Sequence, residues 1–353
     1  MRNGFRKIWL FLLQNYARFL NLYKFVFKAL RMESIFKSKV FYFIRNFVRY
    51  FGPNFLLRIR LQCILKKIDK RPDRAYILDC VNYYNKLEQP FRLGSESGSL
   101  KEHRYFKKPR IQSAYFFDSF EFTRWFPQKL HWNHVFGDVT FVPERPSIVK
   151  SRPIGDHNAN SVVLNLDKFR HFRFVNDKLE FREKSDRLIC MGDMSNKPNR
   201  LKFLEMFFDH PDCYCGDVSR RPSVPAEWQR EKVSVEDHLQ YKFIAALEGI
   251  DVATNLKWVM SSNSLAVMPR PKYETWFREG QLIPNVHDME VKDDYSDLLD
   301  KMQYYIEHPE EAEKIIQNAH AYVQQFMNPQ REKLISLLVL DKYFRLERTE
   351  QYP

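Results

Sequence analysis

The stretch at residues 241–269 constrains this chain more than any other. An apolar segment, Tyr241-Lys-Phe-Ile-Ala-Ala-Leu247, leads into a turn holding Gly249. A second apolar run, Leu265-Ala-Val-Met268, is closed by Pro269. Two short apolar runs bounded by turn residues, with Leu256, Trp258 and Val259 between them, predict a strand, a helix of about three turns and a second strand: a βαβ unit. Ligands of such units sit at the carboxyl ends of the strands and at helix N-termini, where free N–H groups and the helix dipole favour phosphate. The turn at residues 248–255, with Gly249, Ala253, Thr254 and Asn255, is therefore the expected seat of a phosphorylated ligand.

A second junction of the same kind lies upstream. Arg187-Leu-Ile-Cys-Met191 reads as a strand, Gly192 opens a turn, and a helix is expected from Leu201 to His210 with Pro198 at an early position, where its missing N–H costs nothing. Lys197 and Arg200 at that helix start make another anion site.

At 353 residues the chain exceeds one ordinary core, so two domains and an appendage are expected. Charge sets the appendage apart. Residues 1–71 carry seventeen Lys and Arg against Glu33 and Asp69, so the net charge of +13 belongs to that segment alone. Its longest uncharged stretch, residues 8–17, is far short of the roughly 20 residues that cross hydrocarbon. Aromatics from Trp9 through Phe51 are instead interleaved with Arg18, Lys24, Lys28, Lys37, Lys39, Arg45 and Arg49, a mixture suited to the boundary between acyl chains and anionic headgroups. Packing into the protein's own core is the plainer alternative. Nucleic acid is not an expected partner, because no reading module accompanies the charge. Five cysteines form no paired framework, which fits a reducing, cytoplasmic compartment.

Between these regions, residues 114–117, 139–142 and 161–164 are expected as buried strands and 118–126 as a helix. Amphipathic helices are expected at 297–307, 310–326 and 331–346. The resulting boundaries are 1–71 for the basic helical segment, 72–184 for a first α/β domain, 185–326 for a second α/β domain that holds both phosphate-binding junctions, and 327–353 for a terminal helix.

The run from Tyr241 to Pro269, continued by Tyr273-Glu-Thr-Trp-Phe277 and Pro284-Asn-Val-His287, resembles glycosyltransferase family 90, with the bacterial lipopolysaccharide A-type (LpsA-like) sugar transferases as the nearest branch. That resemblance implies a GT-B-like α/β fold: two Rossmann-like domains facing a cleft. It also implies a UDP-sugar donor, inversion at the anomeric carbon, and neither metal nor other cofactor. By resemblance Gly192, Lys197 and Arg200 lie near the donor diphosphate. Lys242 matches the family's Tyr-Lys-Phe strand, Lys257 and Ser262 belong to the organising unit, and Glu274 falls near the nucleotide, where a carboxylate accepts from ribose hydroxyls. Where many relatives carry Arg, this chain has Asn255, a neutral donor in place of a charged fork.

An inverting transferase needs a carboxylate to take the acceptor's proton. Glu144, two residues before Pro146, resembles the family's Asp-x-Pro base, with Asp118 and Asp138 as further candidates. The function implied is transfer of glucose or galactose from a UDP-hexose to a lipopolysaccharide core sugar, on the cytoplasmic face of the cell membrane. An inactive transferase-fold scaffold and a protein O-glycosyltransferase are the alternatives. A kinase-like enzyme is disfavoured, since no G-x-x-x-x-G-K-[ST] loop is present.

Overall fold

The computed structural model describes residues 39–94, 97–105 and 112–347, and the chain divides into two units, Met1–Gly52 and Pro53–Pro353. The first unit is described through one helix, α1 (Lys39–Phe51). Val40, Ile44, Val48 and Phe51 form an exposed apolar stripe on it at helical spacing, while Tyr42 and Asn46 are buried. The aromatic and basic residues expected at a membrane between Trp9 and Lys37 lie outside the described residues. No helix among the described residues is long and apolar enough to cross a membrane.

The larger unit begins with α2 (Phe55–Leu65) and α3 (Arg74–Tyr84), which follow the break at Gly52-Pro53. Leu61 and Leu65 of α2 join the main core, so this helix, expected with the basic segment, belongs to the larger unit. Next comes α4 (Ser113–Thr123), where residues 114–117 had been expected as a strand. Tyr115, Phe116, Phe117, Phe120 and Phe122 are all buried; a helix apolar on every side gives the same short sequence signal as a buried strand.

A small parallel sheet follows, of β1 (His134–Val135), β2 (Ser147–Val149) and β3 (Ser161–Val163), in the order β1-β2-β3. Residues 139–142, expected as a strand, form none. Val139 bonds through both its N–H and its carbonyl to the Ser151 hydroxyl, at 3.0 and 3.1 Å, in place of a ladder.

The second half builds a five-stranded, wholly parallel sheet. Its strands are β4 (Ser185–Gly192), β5 (Cys213–Asp217), β6 (Tyr241–Ala245), β7 (Leu265–Met268) and β8 (Met289–Glu290), laid side by side as β5-β4-β6-β7-β8. Alternate residues face opposite cores: Ile189, Ile244, Ala266 and Met268 join one, Leu188, Cys190, Phe243, Leu265 and Val267 the other. Burial on both faces is what a parallel sheet requires. Helix α5 (Pro198–Phe207) covers the second face, and α6 (Leu256–Val259) the first. The α6 helix has one turn where three were expected, because residues 250–255 are spent on a loop that Asn255 closes by donating to the Ala245 carbonyl at 2.8 Å.

Three helices end the chain: α7 (Leu298–Glu307), α8 (Pro309–Gln324) and α9 (Pro329–Leu346). Helix α9 crosses back to the first half, packing on α3 and α4, and its Tyr343 hydroxyl donates to the Pro146 carbonyl at 2.9 Å. Both halves lie in the unit Pro53–Pro353, where the first carries the three-stranded sheet and the second the five-stranded one.

Candidate active site

In chain order the sheet runs second, first, third, fourth, fifth strand, so the connections leave β4 and β6 toward opposite faces. Their carboxyl ends diverge there, and doubly wound sheets bind ligands at such a switch point. A cleft of about 380 Å³ opens at that place. Its floor is the end of β4 and the loop after β6, one side is the first turn of α5, and Asp138 and Arg170 face in from the first half.

Arg200 dominates the α5 side. Its Nε donates to the Glu248 carbonyl at 3.0 Å, Nη1 to the Asp193 carbonyl at 2.9 Å and Nη2 to the Leu247 carbonyl at 2.6 Å. No carboxylate pairs with it among the described residues, and burial pushes its pKa down. Fixed by neutral acceptors, the guanidinium keeps its charge for an anion in the cleft. The two glycines flank the fork. A Cβ at Gly249 would lie 3.4 Å from Arg200 Nη2, and one at Gly192 would lie 3.7 Å from Nη1, both in van der Waals contact with it.

Lys197 stands beside it, 3.1 Å from Asp193 Oδ2. Burial pushes Asp193 up, but bonds from Ser195 and Lys197 outweigh it and leave the carboxyl below its ordinary range. Beneath, Asp217 at the end of β5 accepts from the Met194 N–H at 2.8 Å and from Ser219 and Arg220, pinning the loop after β4.

The opposite side of the cleft is acidic. Asp138 and Asp251 both contact the Lys150 ammonium, Asp251 Oδ2 at 2.6 Å, and Lys150 is fully buried between them. Behind them, Asp167 sits 2.9 Å from Arg170 Nη1; burial pushes its carboxyl up to about 6 against the pull of Arg170 and Lys150. The cleft therefore has a cationic end and a carboxylate end. That polarity suits a reaction in which an anionic group leaves at one side and a proton is taken at the other.

The glycosyl transferase family 90 model matches residues 168–351. The O-glucosyltransferase LpsA of Dichelobacter nodosus is 44% identical over 284 residues, which span 80% of this chain and 87% of that protein. The chain belongs to glycosyltransferase family 90. As a family 90 transferase it takes a sugar donor and an acceptor, and the cleft is the place in the described structure that offers both polarities.

Of the residues expected at the site, Gly192, Lys197, Arg200, Gly249, Thr254 and Asn255 line this cleft together. Ala253 lies in the same loop but its side chain is in the core. The others are elsewhere. Lys242 sits at the amino end of β6, at the far end of the sheet, paired with Asp186. Ser262 precedes β7 at that same end, its hydroxyl donating to the Val259 carbonyl at 2.7 Å. Lys257 is fully buried against Glu279, which also accepts from the Thr275 N–H and hydroxyl. Glu274 is buried between the Tyr83 hydroxyl and Arg152 Nε, the latter at 2.7 Å, which takes up the acceptors a ribose would need.

Glu144 stands on an exposed turn before β2, outside the cleft lining, its carbonyl accepting from Asn160 at 2.8 Å. Asp118 is a buried residue of α4, accepting from the Lys168 N–H at 2.9 Å. Asp138 alone of the three proposed acids reaches the cleft. Asp251, Arg170 and Asp217 were not singled out from sequence. Only Asp251 had a signal, two residues beyond Gly249 in the very turn expected to hold phosphate.

Proposed function

We propose that the cleft binds a UDP-sugar and that the chain transfers a hexose from it, with inversion, to a sugar of the lipopolysaccharide core. The observation that carries this reading is Arg200, a half-buried guanidinium with no acidic partner among the described residues, at the switch point of a parallel sheet. A diphosphate there meets Arg200 and Lys197, with Gly192 and Gly249 at its flanks. Asp138 replaces Glu144 as the proposed base. The acceptor oxygen attacks the anomeric carbon, its proton passes to the Asp138 carboxylate, and the bond from that carbon to the phosphate oxygen breaks. The two cations meet the charge left on UDP, so turnover is expected to persist in EDTA.

Glucose is favoured over galactose by the activity in the relative's name. The exposed stripe on α1, flanked by Lys39, Arg45 and Arg49, supports an anionic membrane surface as the place of action, on the cytoplasmic side. A GT-B arrangement, with the three-stranded half on the acceptor side, completes the reading.

Calorimetry with UDP tests the donor site, and its failure to bind would return the chain to a scaffold role. Substitution separates the two acids. Asp138→Asn is expected to lower kcat by about 10² to 10⁴-fold, the usual range for a general base, with UDP affinity retained, while Glu144→Gln stays near the wild-type rate. The reverse ranking restores Glu144.

A further inference from the structure

We infer that Asp251 reads a hydroxyl of the transferred hexose and so helps to set donor specificity, an inference that rests on the UDP-sugar reading. Three observations place it. Its carboxylate is buried at the cleft wall, two residues beyond Gly249, which flanks the proposed diphosphate clamp. Through Lys150 it is joined to Asp138, the proposed base. The anomeric carbon must lie between diphosphate and base, so the sugar ring occupies the volume that Asp251 borders.

The third observation concerns its bonding. Asp251 Oδ2 lies 2.6 Å from Lys150 Nζ as an ion pair and has no other polar partner among the described residues. A carboxylate has several acceptor positions, so one held by a single ammonium can still accept from a further donor. A sugar hydroxyl supplies one in the form that binds most strongly, O–H to a charged oxygen. Lys150, wholly enclosed, fixes the carboxylate so that it meets a hydroxyl at one position of the ring and not at several. This mode of reading discriminates, because a donor lacking that hydroxyl leaves a buried acceptor position unpaired.

The test compares UDP with UDP-glucose by calorimetry on the full chain. Asp251→Ala is expected to weaken UDP-glucose by about 10- to 100-fold, the range for a hydrogen bond to a charged group, while UDP itself changes less than about twofold. UDP-deoxyglucoses then identify the hydroxyl: the analogue lacking it binds wild type and variant alike. Should Asp251→Ala not fold, Asp251→Asn keeps the shape and is expected to show the same split at smaller amplitude. Equal weakening of UDP and UDP-glucose, or no weakening of either, overturns the inference while leaving the donor site standing. A wild-type chain that binds no UDP removes the functional reading first.

Discussion

Arg152 and Arg200 are two guanidiniums in one compact unit, the first buried and the second half-buried at the cleft, and the fold treats them in opposite ways. Arg152 is wholly enclosed, with Nε on Glu274 Oε1 at 2.7 Å and its other nitrogens on the Ser161 and Tyr83 carbonyls. Arg200 has three carbonyls and no acid among the described residues. Elsewhere in the fold the matching seen at Arg152 recurs. Lys257 has Glu279 and Lys184 has Asp177, each pair enclosed. The matched cations tie segments distant in sequence, as when Arg152 and Glu274 sit side by side in the short ribbon Arg152–Pro153 against Tyr273–Glu274. An unmatched one has its charge free to meet a ligand, at a standing cost in desolvation that an anion relieves. Between these two arginines, an acidic partner marks the brace, and three carbonyls at the cleft mark the site.

The comparison breaks most readily at Arg152. Replacing it with Met leaves Glu274 buried without its cation, and removal of one partner of a buried pair costs about 3–5 kcal/mol. Urea unfolding of Arg152→Met should show a loss of that order, with UDP affinity of the folded fraction unchanged. A smaller loss together with weakened UDP would move the brace into the site. The next largest effect is at Arg200, and its sign is the sharper test. Arg200→Met removes a half-buried charge that has no counter-ion among the described residues, so stability is expected to change by less than about 1 kcal/mol or to rise, whereas UDP affinity falls by about 10- to 100-fold. A variant that unfolds like Arg152→Met would show that the carbonyl ring around Arg200 is structural.

The same distinction explains what was legible in the sequence. The alternation around residues 185–192, 241–245 and 265–268 exposes the parallel sheet, because strands buried on both faces are apolar runs whatever their neighbours. The two glycine turns after β4 and β6 were likewise readable, and both end in the cleft. Partner choice was not readable. Lys257 and Lys197 look alike along the chain, and only three dimensions show that one meets Glu279 in the core and the other stands at the cleft mouth. Glu274 fails for the same reason, since nothing near it in sequence announces Tyr83 or Arg152. Glu144 was favoured by its proline spacing, which fixes an exposed turn and says nothing about where the cleft opens. The strands lost at 114–117 and 139–142 fell to tertiary context: a helix enclosed on every side, and a loop bonded to one serine hydroxyl.

Asp288 is the acid that tests the rule from the other side, and its effect should be the smallest. It is buried next to β8 with no ion pair among the described residues; burial, then Glu290, push its carboxyl up to about 7 against Arg270 and Lys301. An enclosed acid without a cation is accommodated by holding its proton, which is matching by neutralisation. The sign follows from linkage. Asp288 binds a proton more tightly folded than unfolded, so stability is greatest below the ordinary aspartate range, falls as pH rises from about 4 to about 7, and is level above that. Glu248 in the cleft loop, raised to about 7 by burial against the Lys272 and Tyr273 N–H groups, adds a slope of the same sign, reduced by its partial exposure to solvent. Each tenfold difference in proton affinity is worth about 1.4 kcal/mol, so the two together weaken the fold by a few kcal/mol between pH 4 and pH 8. Asp288→Asn should flatten most of that decline in urea midpoints taken across the range. A slope unchanged in the variant would mean that Asp288 is ionised in the fold and has found a cation, and the scaffold would then be matched by ion pairs alone.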